Sequence, residues 1–184
     1  MNSKIREIIL KKNKSRIVSL TAYSKNIAKI LDKYCDIVLV GDSLANVLYG
    51  HKNTHNINLK TIIDHSKSVK KGIRKSLLVV DMPKDSYSNP TKAIKNAKMI
   101  MKQSGCDAVK LENYKNNYKI INLLVKKKIP VMGHIGFTPQ FKKKFKIEGQ
   151  TKNEALKLLN QAKLIEKAGA FSVVLECLTP DTAK

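Results

Sequence analysis

Several residue types are scarce in this sequence of 184 residues, and each scarcity argues against a class of protein. There is no Trp, aromatic side chains make up 5%, and Arg occurs only at positions 6, 16 and 74. Nucleic-acid-binding proteins stack bases on aromatic rings and use Arg to contact phosphates and base edges. This composition therefore argues against nucleic-acid binding, despite a formal net charge of +22. No apolar run reaches the roughly 18 residues that a membrane span needs, and no signal-peptide core follows the N-terminus. We expect a cytoplasmic protein that does not bind membranes.

Cysteine is rare as well, and its spacing excludes two further kinds of site. The three cysteines, Cys35, Cys106 and Cys177, lie far apart and form no C-x-x-C pair. An odd number of widely spaced cysteines makes neither a disulfide framework nor a zinc-thiolate site. We predict that all three are buried free thiols.

The sequence repeats a short apolar run followed by a longer amphipathic segment. The runs are short and rich in β-branched residues, as buried parallel strands are. The predicted strands are Ile17–Leu20, Ile37–Val40, Leu77–Val80, Ala108–Leu111, Val131–Met132 and Ser172–Leu175. The main predicted helices are Thr61–Lys71, Thr91–Met101, Tyr118–Lys126 and Asn153–Lys167, and the last carries one apolar stripe: Ala155, Leu158, Leu159, Ala162 and Ile165. No linker or close repeat interrupts this pattern, so we predict a single domain over residues 1–184.

Alternating strands and helices indicate either a doubly wound sheet or a (β/α)8 barrel of the TIM type. No G-x-G-x-x-G sequence follows any predicted strand, which disfavours a dinucleotide-binding doubly wound fold. We therefore predict an α/β protein with a (β/α)8 barrel. Only six of the eight strands of such a barrel are found, so we expect that its C-terminal quarter is lacking. Two open sheet edges would then make this polypeptide unstable or inactive by itself.

Ionisable residues stand where five consecutive predicted strands end. They are Asp42, Asp81, the pair Lys110 and Glu112, His134, and Glu176. Each taken alone has an ordinary structural explanation as a turn residue, a helix cap, an ion pair or a buried histidine. Together they would meet at the mouth of a barrel, where such enzymes hold their active sites. Asp42, Asp81 and Glu112 offer only oxygen ligands, which suits a hard divalent ion such as Mg²⁺, and His134 leaves room for a softer metal.

An ordered set of motifs along the chain resembles the ketopantoate hydroxymethyltransferase family (3-methyl-2-oxobutanoate hydroxymethyltransferase). The motifs occur in the family's order and at its spacing, from about residue 21 to the C-terminus. They are Thr21-Ala22-Tyr23, Leu39-Val40-Gly41-Asp42-Ser43-Leu44, Tyr49-Gly50-His51, Asp81-Met82-Pro83, Val109-Lys110-Leu111-Glu112, Gly133-His134-Ile135-Gly136-Phe137-Thr138-Pro139-Gln140 and Val174-Leu175-Glu176-Cys177.

The resemblance implies a Mg²⁺-dependent, aldol-type transfer in pantothenate biosynthesis. The acceptor would be 3-methyl-2-oxobutanoate, and the one-carbon donor would be 5,10-methylenetetrahydrofolate. Carried over by position, the metal would be held by Asp42, Asp81 and Glu112. The substrate contacts fall on Asp42, Ser43, Asp81 and Lys110, and the proton acceptor falls on Glu176, with His134 as a possible additional site residue. The family also implies a homo-oligomer, commonly a decamer.

Departures from the family pattern concern the outer pocket more than the metal site. Ser24 stands where the family usually has Asp, and Lys84 stands where it has Phe. Lys143–Lys146 replaces a Gly-Gly-aromatic-Lys stretch in the loop that is expected to contact folate. Three alternatives remain open. The chain could be another Mg²⁺-dependent enolate enzyme of the phosphoenolpyruvate mutase and isocitrate lyase group, an inactive fragment, or a basic nucleic-acid-binding protein.

Overall fold

The computed structural model describes residues 2–184. They form two compact units, the first ending at Val109 and the second being Lys110–Lys184. The first unit contains three complete strands: β1 (Ser19–Thr21), β2 (Ile37–Val40) and β3 (Leu77–Asp81). Its helices are α1 (Ser3–Leu10), α2 (Lys25–Leu31), α3 (Leu44–Val47), a 3-10 turn (Thr54–Asn56), α4 (Leu59–Lys70) and α5 (Pro90–Ser104). Strand β4 (Ala108–Glu112) begins in the first unit and ends in the second. The second unit continues with α6 (Tyr118–Lys126), β5 (Val131–Gly136), α7 (Lys152–Lys167), β6 (Ser172–Glu176) and α8 (Pro180–Ala183).

The strands of the first unit are parallel and follow one another in chain order. Strand β1 pairs with β2, and β2 pairs with β3 in a register that sets Val40 opposite Val80. The backbone N–H of Asp107 donates to the carbonyl of Leu78, so the start of β4 lies beside β3. All five residues of β3 are buried. Helix α4 packs on β2 and β3 and covers one face of these strands, and α5 packs beside α4.

Asparagine caps mark where α4 and α5 begin, and a glycine marks where α5 ends. The side chain of Asn58 accepts a hydrogen bond from a backbone N–H in the first turn of α4, and Asn89 does the same for α5. These N–H groups have no acceptor within their helices, so the two side chains stabilise the helix starts. Gly105 ends α5 in the left-handed conformation, with φ at 70°. Helix α5 thus begins one residue before the predicted start at Thr91 and ends three residues after the predicted end at Met101.

Asp32, just after α2, fastens that helix to the start of β3. Its carboxylate accepts backbone N–H groups from residues 74, 75 and 76 at 2.8 to 3.2 Å. Burial by itself would raise the pKa of Asp32, but these hydrogen bonds outweigh it and hold the pKa below its ordinary value. The charged form of this carboxylate therefore stabilises the folded state.

The strands of the second unit are parallel too. Strand β5 pairs with β6 from Met132↔Ser172 to Gly136↔Glu176. The backbone N–H of Asn113 donates to the carbonyl of His134, so the end of β4 lies beside β5. All six residues of β5 are buried. Helix α7 packs on β5 and β6, with Ile165 against the backbone of Gly133.

Three sequence-based predictions need correction. Strand β1 begins at Ser19 rather than Ile17, because the amide of Val18 donates to the Asp36 carboxylate instead of joining the strand ladder. On α7 Leu159 is 49% exposed while Leu158 is buried, since neighbouring helical residues point about 100° apart. Cys177 is only half-buried, whereas the other two cysteines are buried free thiols as predicted.

Two further expectations concern domains and membranes. The described residues form two compact units, and the single domain over residues 1–184 stays a prediction. Within residues 2–184 no helix combines the length and apolarity that crossing a membrane requires.

Candidate active site

The carboxyl ends of β2 and β3 bring two of the predicted acidic residues together in the first unit. Asp81 is the last residue of β3, and Asp42 stands two residues after β2. They are 2% and 4% exposed. The backbone N–H of Asp42 donates to Asp81 Oδ2 at 3.1 Å. The parallel register makes this contact possible, because it aligns the last residue of β2 with the residue before Asp81.

Ser43, a predicted substrate contact, directly follows Asp42 in the chain. It holds the N-cap position of α3, but its side chain makes no capping hydrogen bond. Its Oγ lies 2.7 Å from the hydroxyl of Tyr23 instead. A Cβ on Gly41 would lie 2.9 Å from Ser43 Oγ and 3.4 Å from Asp81 Oδ2. The missing side chain of Gly41 therefore keeps the space between these two oxygens open.

Tyr23 is a site residue that sequence reasoning did not single out. Burial raises the pKa of its phenol; the hydrogen bond with Ser43 lowers it, and the negative charges of Asp81 and Asp42 raise it again, with a net upward shift. The phenol therefore stays protonated across the physiological pH range. The available signal was its place in the Thr21-Ala22-Tyr23 motif at the end of β1.

In the second unit, β4 and β5 bring Lys110, Glu112 and His134 together. All three are buried, with exposures of 5%, 1% and 1%. Lys110 Nζ lies 3.4 Å from His134 Nδ1, and Glu112 Oε1 lies 4.0 Å from the same nitrogen. Lys110 and Glu112 thus share one face of β4, as their spacing predicted. The backbone N–H of Gln140 also donates to Glu112 Oε2 at 3.2 Å, a contact that sequence reasoning missed.

The other nitrogen of His134 contacts Glu176, the predicted proton acceptor. His134 Nε2 lies 3.2 Å from Glu176 Oε2 and 2.9 Å from the carbonyl oxygen of Phe137. Both oxygens accept hydrogen bonds, so we assign the hydrogen to Nε2. In a neutral ring Nδ1 is then an acceptor, and Lys110 can donate to it. The side chain of Glu176 is 39% exposed, so a small molecule can approach it.

Gly136 sets the position of Glu176 on β6. It has φ at 92°, a conformation that other residues rarely adopt, and a Cβ there would collide with the carbonyl group of Glu176. The N–H of Phe137 donates to that same carbonyl at 2.9 Å. Any side chain at position 136 would therefore displace the backbone that carries the Glu176 carboxylate.

The donor chemistry of the first unit fits a hard divalent cation. Asp42 and Asp81 are both buried, and the backbone N–H of Asp42 donates to the Asp81 carboxylate. Burying two such charges is costly unless a cation compensates. Carboxylate oxygens are the ligands that Mg²⁺ prefers, with water and substrate filling its remaining positions. Across residues 2–184, no three His, Cys, Asp or Glu side chains form a metal-binding group by themselves.

Comparison with known proteins identifies the family. The family model described as ketopantoate hydroxymethyltransferase matches residues 3–184. The chain belongs to the ketopantoate hydroxymethyltransferase family. A 3-methyl-2-oxobutanoate hydroxymethyltransferase of Pelagibacter ubique is 53% identical over 184 residues, which are all of this chain and 72% of that protein. Proteins of the same name from Anaplasma marginale and Clostridioides difficile are 44% and 48% identical over 97% and 88% of this chain. The chain spans 66% and 60% of their lengths.

Solved structures show which fold this family member has. A phosphonopyruvate hydrolase matches with a TM-score of 0.74 at 12% identity, over 98% of this chain and 66% of that one. A 2,3-dimethylmalate lyase of the phosphoenolpyruvate mutase and isocitrate lyase superfamily matches with a TM-score of 0.70 at 14% identity, over 100% of this chain and 65% of that one. At such identities the likeness concerns the fold alone. It confirms the predicted α/β barrel class, with six strands among residues 2–184.

Proposed function

We propose that this member of the family transfers a hydroxymethyl group from 5,10-methylenetetrahydrofolate to 3-methyl-2-oxobutanoate. The product would be 2-dehydropantoate, a precursor of pantothenate. The observation that carries this proposal is the family match over residues 3–184, together with the shared name of the relatives. The buried polar residues at the strand ends support it, because they suit the deprotonation and binding of a small oxo acid.

The metal of the proposed reaction is a divalent cation, with Mg²⁺ as the first candidate. Asp42 and Asp81 would hold it, and Glu112 stays a ligand predicted from the sequence. When bound, such a cation supplies positive charge that makes a 2-oxo acid easier to deprotonate next to its oxo group. Removing it with a chelator should abolish turnover, and adding Mg²⁺ should raise the melting temperature of the protein. Asp81→Asn should weaken this thermal shift.

The proton of the acceptor would go to Glu176. Its carboxylate would take the proton from C3, while the His134 Nε2–H holds one carboxylate oxygen in place. The electron pair of the broken C–H bond would form the new C–C bond to the one-carbon unit of the folate. Water supplies the oxygen of the new hydroxyl group, and tetrahydrofolate leaves. Lys110 and Ser43 would bind the carboxylate of the acceptor and fix its orientation.

The folate would contact the loop between β5 and α7. Within this loop Lys142 pairs with Glu148 at 2.6 Å, and Lys146 pairs with Glu154 of α7 at 2.7 Å. Within residues 2–184 Lys143 and Lys144 have no such ion pair. Phe145 is 71% exposed, and its ring lies 5.4 Å from that of Phe137. An exposed aromatic ring beside unpaired cations suits a flat heterocycle that carries glutamate carboxylates.

A charge reversal in this loop tests that placement. The double variant Lys143→Glu/Lys144→Glu should raise the KM for a polyglutamylated folate several-fold and the KM for the monoglutamate less. The KM for 3-methyl-2-oxobutanoate should not change. The matched control is Lys126→Glu/Lys127→Glu, two exposed residues at the C-terminal end of α6, which should alter neither constant. Equal effects of the two double variants would contradict the placement.

Isotope exchange tests the proposed deprotonation directly. In D₂O with Mg²⁺, the purified protein should exchange the C3 hydrogen of 3-methyl-2-oxobutanoate, as followed by proton NMR. Glu176→Gln should abolish exchange, because an amide cannot accept the proton. Glu7→Gln, an exposed residue of α1, is the control and should exchange at the normal rate. No exchange by the wild-type protein would contradict the proposed function.

The alternative enzymes of the phosphoenolpyruvate mutase and isocitrate lyase group are not favoured. Solved members resemble this chain in fold at 12 to 14% identity, whereas the hydroxymethyltransferases share 44 to 53% of its sequence. If the purified protein cleaved a phosphonopyruvate or a dialkylmalate, that result would support this alternative. The homo-oligomer stays a prediction, and light scattering would test it. The cytoplasmic location also stays a prediction.

A further inference from the structure

His65 of α4 joins two loops of the first unit through its ring nitrogens. Nδ1 lies 2.8 Å from the carbonyl oxygen of Tyr23, and Nε2 lies 3.0 Å from the hydroxyl of Tyr49. The rings of Tyr49 and His65 meet edge to face at 6.0 Å. No sequence motif pointed to His65, because it lies in the middle of an amphipathic helix.

The partners of His65 determine its tautomer. A carbonyl oxygen can only accept, so we assign the hydrogen to Nδ1. In the neutral ring Nε2 then accepts, and the hydroxyl of Tyr49 donates to it. The ring of Tyr49 also stacks on His51 at 5.9 Å with an interplanar angle of 13°. Both nitrogens of His65 are thus engaged, and its ring is held on two sides.

His65 affects the proposed site through its contact with Tyr23. His65 holds the backbone of Tyr23, whose hydroxyl lies 2.7 Å from Ser43 Oγ. A protonated phenol can donate to Ser43 Oγ. The Ser43 hydroxyl hydrogen is then available to donate to an anionic oxygen. This is the orientation that binding the carboxylate of an oxo acid requires.

We propose that His65 is a positioning residue for the oxo-acid site: it fixes the backbone of Tyr23 so that the Tyr23 hydroxyl orients Ser43. This inference rests on the proposed function, because it assigns Ser43 to the carboxylate of 3-methyl-2-oxobutanoate. It also predicts which of the two hydrogen bonds of His65 matters. The bond to Tyr23 positions the site, and the bond to Tyr49 supports the ring from outside.

Amide replacements of His65 separate the two bonds. The amide nitrogen of Asn is bonded to Cγ, as Nδ1 of imidazole is, so His65→Asn can still donate to the Tyr23 carbonyl. The amide of Gln is one bond longer and takes the place of Nε2, so His65→Gln retains only the contact with Tyr49. Tyr49→Phe removes the outer bond and leaves the inner one.

The expected result is a selective change in KM. His65→Gln should raise the KM for 3-methyl-2-oxobutanoate roughly 10-fold, the value of about one lost hydrogen bond. His65→Asn and Tyr49→Phe should stay within about two-fold of the wild type. The KM for the folate and the melting temperature should change little in all three variants. Equal KM values for the Asn and Gln variants would overturn the proposal, as would a loss of stability that accounts for the whole effect.

A spectroscopic readout tests the same contact without activity. Protein labelled with 3-fluorotyrosine has a fluorine resonance for Tyr23 that disappears in Tyr23→Phe. We expect this resonance to shift or broaden in His65→Gln and to keep its position in His65→Asn. An unchanged resonance in His65→Gln would show that His65 does not hold Tyr23. If the wild-type protein does not act on the oxo acid, the proposed function fails, and the fluorine spectra still decide the role of His65.

Discussion

Replacing Gly133 by Ala places a methyl group into the contact between β5 and α7. The new Cβ would lie 2.6 Å from Ile165 Cγ2 and 3.2 Å from its Cδ1. Carbon atoms pack favourably at about 3.5 to 4.0 Å, so the closest approach is short by about 1 Å. Ile165 is 1% exposed and cannot move away into solvent. Overpacking of this kind costs about 1 to 3 kcal/mol, and we expect that loss in the free energy of unfolding of Gly133→Ala.

A double variant tests the cause of that loss. Ile165→Ala by itself should cost about 2 to 5 kcal/mol, because it leaves a cavity under α7. In Gly133→Ala/Ile165→Ala the new methyl group enters that cavity. The double variant should therefore be about 1 to 2 kcal/mol more stable than the sum of the single effects implies. The control pair is Gly133→Ala with Ile121→Ala, a buried residue of α6, and its effects should add.

Urea denaturation followed by circular dichroism measures these differences. The variants should share the m-value of the wild type, so that midpoint shifts report stability alone. Two outcomes would refute the reasoning. Gly133→Ala could be neutral, or Gly133→Ala/Ile165→Ala could be as unstable as the sum of the single changes. Either result would mean that α7 does not pack on β5 through this glycine.

Three further predictions address the site, the pH dependence of stability and the thiols. His134→Ala should slow exchange at C3 of 3-methyl-2-oxobutanoate about 10- to 100-fold in the NMR assay, because a hydrogen bond to the Glu176 carboxylate is lost; an unchanged rate would contradict this. The lowered pKa of Asp32 stabilises the fold at neutral pH, and this contribution is lost as the pH falls below about 5. Asp32→Asn should thus be about 1 kcal/mol less stable at pH 7 and equal to the wild type in acid, by urea titration. Burial raises the pKa of Cys106 to about 11, so a disulfide reagent at pH 8 should label it only after unfolding, as mass spectrometry would show.

Much of the fold could be predicted because buried parallel strands have a local signature. Ile37–Val40 and Tyr118–Lys126 have the bounds that the apolar pattern indicated. The ends of other strands were placed too early, since polar residues were taken as the end of pairing. Asp81, Glu112 and Glu176 are in fact the last residues of β3, β4 and β6. The strand pairing includes these three residues, and the pattern of polar and apolar side chains does not reveal where backbone hydrogen bonding stops.

Sequence alone determined the family and the residues that carry its chemistry, because motifs in fixed order record which side chains stand at strand ends. The partners of those residues were decided only by the tertiary structure. The sequence shows only that Ser43 follows a strand, whereas the structure shows that its hydroxyl contacts the hydroxyl of Tyr23. No sequence pattern connects His65 to Tyr23 and Ser43. Hydrogen bonds between residues that lie 20 and 42 positions apart depend on how helices and strands pack. Local propensities do not contain that information.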